Sequence, residues 1–371
     1  MKQVVVIEGE DAAPEAVRPS IQILESLKLP IEFLLPPVGL PAQEHLGTTF
    51  PEEARRAIDQ SDATLFGSTT GPSARALFYL RWGRQTYANV RPVRWLPGFR
   101  SPLARPEGID FVTVRENLED LYAGIEGDLA TLPREFIWRA STRPAAEAAP
   151  GRYAVKVITE AGTRRVTEFA CRLAERRQNE GHLGKVTVGT KHNMLYQSDG
   201  FFRQVAKAII AEHPTLTFES FIIDDLARRL VADPQSLDVI VLPNLYGDIL
   251  SDEAAALIGG LGLAASGCYG DDYAYFESAG GSAPDIAEKN IINPTATLLS
   301  AAMMLEYLGF EAEAKRLADA IAAVYREGTC LTPDQGGAAK TTEFCQAVLR
   351  FLHGEPAWGP LCGPPPLTGA T

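Results

Sequence analysis

Asp248 and Asp252 stand four residues apart in the run Leu-Pro-Asn-Leu-Tyr-Gly-Asp-Ile-Leu-Ser-Asp-Glu-Ala, which begins at Leu242. Residues 237–242 before them read as a buried strand, and residues 249–258 have the composition of a helix. At helical spacing, positions i and i+4 lie one turn apart on the same face. Two carboxylates placed there repel each other unless something positive sits between them, and a hard divalent cation with oxygen ligands does this. The alternative is a solvated helix start, where aspartate is favoured by the helix dipole. A second group of chemical side chains lies upstream. Arg81, Arg84, Arg91, Arg94, Arg100 and Arg105 fall close together with no lysine among them. Arginine offers a planar fork that holds a carboxylate through two parallel bonds, which lysine cannot do. The plainer reading of that group is a basic surface face with structural ion pairs.

The elements that would position these groups alternate between strand and helix, the pattern of an α/β protein. Residues 4–7 are a short apolar strand, and residues 13–27 an amphipathic helix whose first turns Pro19 should disturb. Residues 63–67, 110–114, 186–189 and 218–223 read as further strands. Residues 159–180, 296–308, 311–326 and 343–351 read as helices. Residues 133–152, rich in Pro, Ala and charge, read as a loop or projecting arm. Residues 354–371, rich in Pro and Gly, read as a mobile tail. Gly260-Leu261-Gly262-Leu263-Ala264-Ala265 imitates a dinucleotide-binding Gly-x-Gly-x-x-Ala turn, but it follows a helical segment instead of a strand, so the fold is not of that type.

Bulk composition narrows the classes. The 371 residues can bury a substantial core and suggest two domains, and 46% hydrophobic with 22% charged residues is ordinary for a globular protein. A net charge of −12 argues against nucleic acid or an anionic membrane surface as partner. No apolar run is long enough to span a bilayer, and Met1-Lys2-Gln3 leads into a strand instead of a signal peptide. Cys171, Cys268, Cys330, Cys345 and Cys362 are scattered without CxxC spacing. They are expected to be reduced thiols of a cytoplasmic protein.

Several stretches carry a family resemblance. Asn244-Leu245-Tyr246-Gly247-Asp248-Ile249-Leu250-Ser251-Asp252 resembles the signature of the β-decarboxylating dehydrogenases, which act on isocitrate, isopropylmalate, homoisocitrate and tartrate. Arg81, followed by Tyr87-Ala88-Asn89-Val90-Arg91-Pro92, resembles the family's spaced pair of substrate arginines. Arg115-Glu116-Asn117-Leu118-Glu119-Asp120-Leu121-Tyr122-Ala123-Gly124 is similar to the isocitrate branch, with Leu118 in place of the usual Thr or Ser. Thr190-Lys191-His192-Asn193 matches the position of the family's lysine, and Gly281-Ser282-Ala283-Pro284-Asp285-Ile286 with Asn293 looks like its adenosine loop. Two stretches depart from the family. The N-terminal turn has Asp11 and Ala13 where two glycines are usual, and Gly280 stands where the family usually has His.

The resemblance implies the family's two-domain α/β fold around one large mixed sheet flanked by helices. Residues 1–95 and 256–371 would form the cofactor-binding domain. Residues 96–255 would form the smaller domain, with the metal site and an arm that clasps the partner of a homodimer with shared active sites. It implies Mg²⁺ or Mn²⁺ held by Asp248, Asp252 and a partner's Asp224, with Asp225 as the adjacent fallback. It implies carboxylate binding by Arg81, Arg91 and Arg115, proton donation by Tyr122, and removal of the hydroxyl proton by Lys191, which in the family dimer reaches the partner's site as Asp224 does. NAD would contact Thr69, Thr70, Asn117, Gly281, Ser282, Ala283, Asp285, Ile286 and Asn293, because Asp285-Ile286 is the NAD form of a pair that is Lys-Tyr in NADP relatives. The expected reaction is oxidative decarboxylation of a small hydroxy acid, a 3-substituted malate. Around the C3 substituent the turn offers Arg75, Leu77 and Phe78. Arg75 suits an anionic group such as a carboxylate or phosphonate, which is the favoured reading. Leu77 and Phe78 suit an alkyl group as in isopropylmalate, and a tartrate- or malate-type substrate is a further alternative. A non-catalytic regulatory subunit is the reading from a different class.

Overall fold

The computed structural model describes residues 1–354. Apart from Gly354, the expected mobile tail lies outside the described residues. In chain order the strands are β1 Lys2–Ile7, β2 Ile31–Leu34, β3 Ala63–Phe66, β4 Ala88–Arg94, β5 Asp110–Glu116, β6 Glu126–Asp128, β7 Ile137–Trp138, β8 Arg143–Pro144, β9 Arg152–Ala154, β10 Lys185–Thr190, β11 Thr217–Ile222, β12 Val239–Leu242, β13 Ala265–Tyr269 and β14 Ala274–Ser278. The helices are α1 Ala13–Ser26, α2 Leu40–Leu46, α3 Glu52–Gln60, α4 Ala74–Phe78, α5 Glu160–Asn179, α6 Ser198–Ile210, α7 Ile223–Ala232, α8 Asn244–Ile258, α9 Thr295–Tyr307, α10 Glu311–Glu327 and α11 Thr341–Leu352.

Ten strands join in one mixed sheet of order β11-β10-β12-β5-β4-β13-β14-β3-β1-β2. β4 runs antiparallel to both β5 and β13, and β13 antiparallel to β14; every other neighbouring pair in the sheet is parallel. Strands buried on both faces read as unbroken apolar runs, as in β12, where Val-Ile-Val-Leu is wholly buried. The period of two sends alternate residues to opposite sides. Val4 and Val6 join the large cluster with α1, α9, α10 and α11, whereas Val5 and Ile7 join Ile58, Phe66, Leu80 and Tyr275. Further along the sheet, Val114, Val188 and Val241 meet Val166 and Ala170 of α5 and Phe202 of α6. Each such side chain contributes about 1.5–3 kcal/mol when fully buried.

Several boundaries differ from the sequence reading for identifiable reasons. α1 continues through Pro19, which forfeits one backbone donor but leaves the apolar stripe of Val17, Ile21 and Leu24 intact. α8 starts at Asn244, before Asp248, because Pro243 occupies the N-cap with extended angles and the helix propagates at once. Asp224 and Asp225, just after β11, lie in the first turn of α7. The arm is not structureless: β6 pairs with β9, and β7 with β8, as two short antiparallel ribbons. Gly260 leads into a short 3₁₀ turn and then β13, so the glycine run does not open a helix. Cys171, Cys268 and Cys345 are buried free thiols. Cys330 is disulfide-bonded, which overturns the expectation of a reduced thiol there. Among the described residues no helix is long and apolar enough to cross a membrane.

One ion pair ties the helix layer to the sheet. Arg177 of α5 donates from Nε to Asp238 Oδ1 at 2.7 Å and from Nη2 to the Asp110 carbonyl at 2.8 Å, while the Lys185 amide donates to Asp238 Oδ2 at 3.2 Å. Both side chains are largely buried, so removing Asp238 leaves Arg177 with only the Asp110 carboxylate, 3.2 Å away and partly exposed. Asp238→Ala is expected to lower the unfolding free energy by about 3 kcal/mol. Urea titration checks this, and a loss below about 1 kcal/mol would rank the pair with exposed surface bridges.

Candidate active site

The middle of the sheet carries polar side chains on one face, an arrangement that costs free energy unless each group is paired. Asn89 on β4 donates to Ser266 Oγ at 2.8 Å and to Cys268 Sγ at 2.7 Å, and its carbonyl oxygen accepts from Arg91 Nε at 2.9 Å. Arg91 then spans to α8. Its Nη1 donates to Ser251 Oγ at 2.7 Å and to Asp252 Oδ1 at 2.9 Å, and its Nη2 lies 3.5 Å from Asp248 Oδ1.

Arg115, near the end of β5, is only 2% exposed. Its Nε and Nη2 both donate to Asn244 Oδ1, at 2.8 and 2.6 Å, and its Nη1 donates to Asp248 Oδ1. Burial pulls its pKa below the ordinary value, against the attraction of Asp248. Gly247 is required here because a Cβ would stand 2.6 Å from Arg115 Cβ and Cγ. Tyr122 sits in a 3₁₀ turn, Leu121–Ala123, and not in the strand itself. Its hydroxyl donates to Asp248 Oδ2 at 2.7 Å, and its ring lies 5.3 Å from the Arg115 guanidinium carbon. Burial, then the Asp248 carboxylate, raise the phenol's pKa and keep it protonated. Burial also raises Asp252 against the pull of Arg91. Arg81 lies in a π-turn, Tyr79–Gly83, beside Glu277. Burial raises the Glu277 carboxyl, and Arg81, Arg91 and Arg115 oppose that rise.

Asp248 and Asp252 thus share one face of α8. Their side chains are 32% and 49% exposed, and oxygen donors of this kind suit Mg²⁺ or Mn²⁺. Asp224 lies elsewhere, where its Oδ1 accepts from Lys191 Nζ. That hydrogen bond holds the Asp224 carboxyl below its usual value. Asp225 is occupied by Arg228 and Arg229 of its own helix. Among the described residues no three acidic, His or Cys side chains form a ready metal cage within one chain. Lys191 therefore faces an acid in this chain, not the arginines.

The expected cofactor residues fall into two groups. Thr69 donates to Glu10, and Thr70 and Ser282 donate to Asp11 Oδ2 at 3.2 and 2.5 Å, so the N-terminal turn laces two loops together. Beside them is a cavity of about 280 Å³, bordered by Gly67, Leu261, Gly280, Ala283, Ile286 and Asn293. A Cβ on Gly280 would meet the Leu261 carbonyl at 3.5 Å, an ordinary contact, so the usual side chain is absent without backbone collapse. Gly281 and Asp285 are exposed at this rim. Asn293 is turned inward, to Tyr325 and Asp334. Asn117 also turns inward, its amide donating to the Thr86 carbonyl at 3.0 Å. Leu118 packs in the core with Tyr87 and Val166. Arg75 and Phe78 are exposed, whereas Leu77 packs against the cluster of Val5, Ile7 and Phe66. The sequence reading did not single out Glu10, Ser251, Asn244 or Glu277, which carry no spacing signal of their own.

One ten-stranded mixed sheet thus carries buried arginines paired with the aspartates of α8. The family model for isocitrate/isopropylmalate dehydrogenase matches residues 3–348, and the chain belongs to that family, whose chemistry is oxidative decarboxylation. It is 40% identical to the 3-isopropylmalate/3-methylmalate dehydrogenase of Methanocaldococcus jannaschii, over 96% of this chain and 100% of that protein. It is likewise 40% identical to the isocitrate/homoisocitrate dehydrogenase of Thermus thermophilus, over 94% and 98%. The crystal structure of isocitrate dehydrogenase from Methylococcus capsulatus superposes with a TM-score of 0.83 at 32% identity, covering 95% of this chain and 99% of that one.

Two predictions follow from this geometry. Gly247→Ala is expected to displace Arg115 and raise the substrate KM at least about tenfold, as loss of a charge-assisted bidentate contact would; an unchanged KM would remove the close approach from substrate binding. The second concerns Glu116, whose buried carboxyl is pushed up to about 7 although it accepts from the Leu118 and Glu119 amides. The native state then binds this proton more tightly than the unfolded chain does. The group's stabilisation is full below about pH 4.5 and is lost as pH rises to about 7. Thermal midpoints measured between pH 4.5 and 8 should fall over that window, and the slope should flatten in Glu116→Gln; equal slopes would exclude Glu116 as the source.

Proposed function

We propose that this chain is an NAD-dependent enzyme that oxidatively decarboxylates a 3-substituted malate bearing an anionic group at C3. The observation that carries this reading is the convergence of Arg91, Arg115 and the protonated Tyr122 phenol on Asp248. Arg81, Arg91 and Arg115 bind the substrate carboxylates and orient C2 and C3. Lys191 takes the proton of the 2-hydroxyl. Tyr122, held protonated by burial and by Asp248, delivers its proton to C3 once CO₂ has left. Asp248, Asp252 and the partner subunit's Asp224 would hold the divalent cation; Mg²⁺ or Mn²⁺ there would supply Lewis-acid chemistry, and NAD would be the hydride acceptor.

The choice of NAD rests on the exposed Asp285, whose carboxylate suits ribose hydroxyls and repels a 2′-phosphate. The division at residues 95 and 255 is part of the same reading, with the cleft between the two parts. So is the homodimer, whose support is the exposed apolar surface of Ile137, Trp138, Leu195, Tyr196 and Ile249. Arg75 has no ion-pair partner among the described residues and is available to an anionic C3 group. A second reading, an alkyl substituent, is favoured by Phe78, which is 52% exposed and packs edge-on to Trp82 at 5.3 Å. The regulatory-subunit reading is disfavoured because Tyr122, Lys191 and all three aspartates are present.

The test follows NADH formation with Mg²⁺ or Mn²⁺ on isocitrate, homoisocitrate, isopropylmalate, tartrate, malate and a phosphonomethyl-malate, with NADP⁺ run beside NAD⁺. Turnover of an acidic substrate with NAD⁺ is expected, with Tyr122→Phe and Lys191→Ala each slowing it by about 10²-fold or more. Turnover of isopropylmalate alone would transfer the C3 pocket to Phe78 and Trp82. Unchanged turnover in Lys191→Ala would remove that lysine from the mechanism.

A further inference from the structure

A buried charge network lies beside the cleft and makes no contact with the arginines. Lys156 follows the arm in an extended segment, with its side chain only 13% exposed. Its ammonium stands 2.6 Å from Asp199 Oδ1 and 3.5 Å from Asp120 Oδ1. Both carboxylates are fully buried, and among the described residues the Lys156 ammonium is the cation paired with each of those oxygens. The same ammonium lies 4.1 Å from the centroid of the Tyr246 ring, whose phenol interacts with Asp199.

The other oxygens of the two acids hold backbone. Asp199 Oδ2 accepts from the Lys191 amide at 2.6 Å. Asp120 Oδ2 accepts from the Leu245 amide at 3.0 Å, in the first turn of α8. Asp120 itself sits at φ +67 immediately before the 3₁₀ turn that carries Tyr122, and it exchanges backbone hydrogen bonds with Val157, the residue after Lys156. One ammonium therefore joins the proton-donor turn, the helix that bears Asp248 and Asp252, and the backbone of Lys191.

We infer that Lys156 is a positioning residue for the reaction, setting Tyr122, α8 and Lys191 in mutual register through Asp120 and Asp199. The inference rests on the functional reading above, in which Tyr122 and Lys191 move protons. Among the described residues the Lys156 ammonium is paired with Asp120, Asp199 and the Tyr246 ring, and not with the arginines and aspartates assigned to substrate and metal. Its loss would therefore misplace the proton-transfer groups while leaving the arginine contacts of Arg91 and Arg115 in place. The two acids belong to different parts of the shared site. In that reading Lys191, paired with Asp224, serves the partner subunit, so Lys156 links a turn of its own cleft to a residue working in the neighbouring one.

The experiment measures kcat and KM for the best substrate of the panel in Lys156→Met, Lys156→Arg, Asp199→Asn and the double variant Lys156→Met with Tyr122→Phe. Lys156→Met is expected to lower kcat about tenfold or more with KM changed by less than about threefold. Lys156→Arg should recover part of the loss, because it keeps the charge. The double variant should be slowed by less than the product of the two single effects, the mark of groups acting through one another. A folded Lys156→Met with unchanged kcat, or strictly multiplicative losses, would overturn the inference. Should Lys156→Met not fold, Lys156→Arg and Asp199→Asn decide: lowered kcat at constant KM supports the role, and unchanged kcat overturns it. Unchanged turnover in Tyr122→Phe instead overturns the functional reading itself. A slowed Tyr122→Phe beside an unaffected Lys156→Met overturns only the role of Lys156.

Discussion

The buried Arg115 guanidinium is the constraint on which the cleft depends. A charge taken out of water must be met by acceptors on several sides, and Arg115 finds them in Asn244 and Asp248, one turn apart on α8. That requirement fixes the rotation of α8 against β5. It explains the glycine at 247, where any side chain would meet the arginine stem. It also leaves the second oxygen of Asp248 for Tyr122, so strand, helix and turn meet at a single carboxylate.

Around this point the protein places charge in a graded way. Arg91 and Arg115 are almost wholly buried, while Asp248 and Asp252 are open enough for their remaining oxygens to reach a ligand. The cations are therefore fixed and the anions shared. Positive charge fixed in this way needs no reorganisation when an anion approaches. Farther out, the carboxylate of Asp285 is exposed while Asn293 turns inward to Asp334.

Both acids of the N-terminal turn bind neighbouring loops, and Asp11 does so from a position where the family usually has glycine. Glu10 binds Thr69 and Ser73, and Asp11 binds Thr70 and Ser282. Asp11 adopts φ +54, a left-handed angle that glycine reaches at lower cost. Its side chain repays that cost by fastening the turn to two loops from distant parts of the chain.

Much of this was legible in the sequence because some signals are local. The spacing of Asp248 and Asp252 put both acids on one helical face, the apolar runs of β1, β3 and β12 announced buried strands, and the clustered arginines left an anion site and a basic surface face as alternatives. The family resemblance then supplied roles for Tyr122 and Lys191. What tertiary structure alone decided is which groups meet. Nothing near Lys156 in the chain marks it, because its partners Asp120 and Asp199 are brought to it by the return of the arm and the packing of α6. Leu77 and Asn117 stand beside residues of interest in sequence, yet the pitch of α4 and the turn after β5 carry them into the interior. Separating Asp224 from Asp248 and Asp252 is likewise a matter of packing. Local spacing sets which side chains share a face, but the partner across that face is fixed only when distant segments compete for the same buried space.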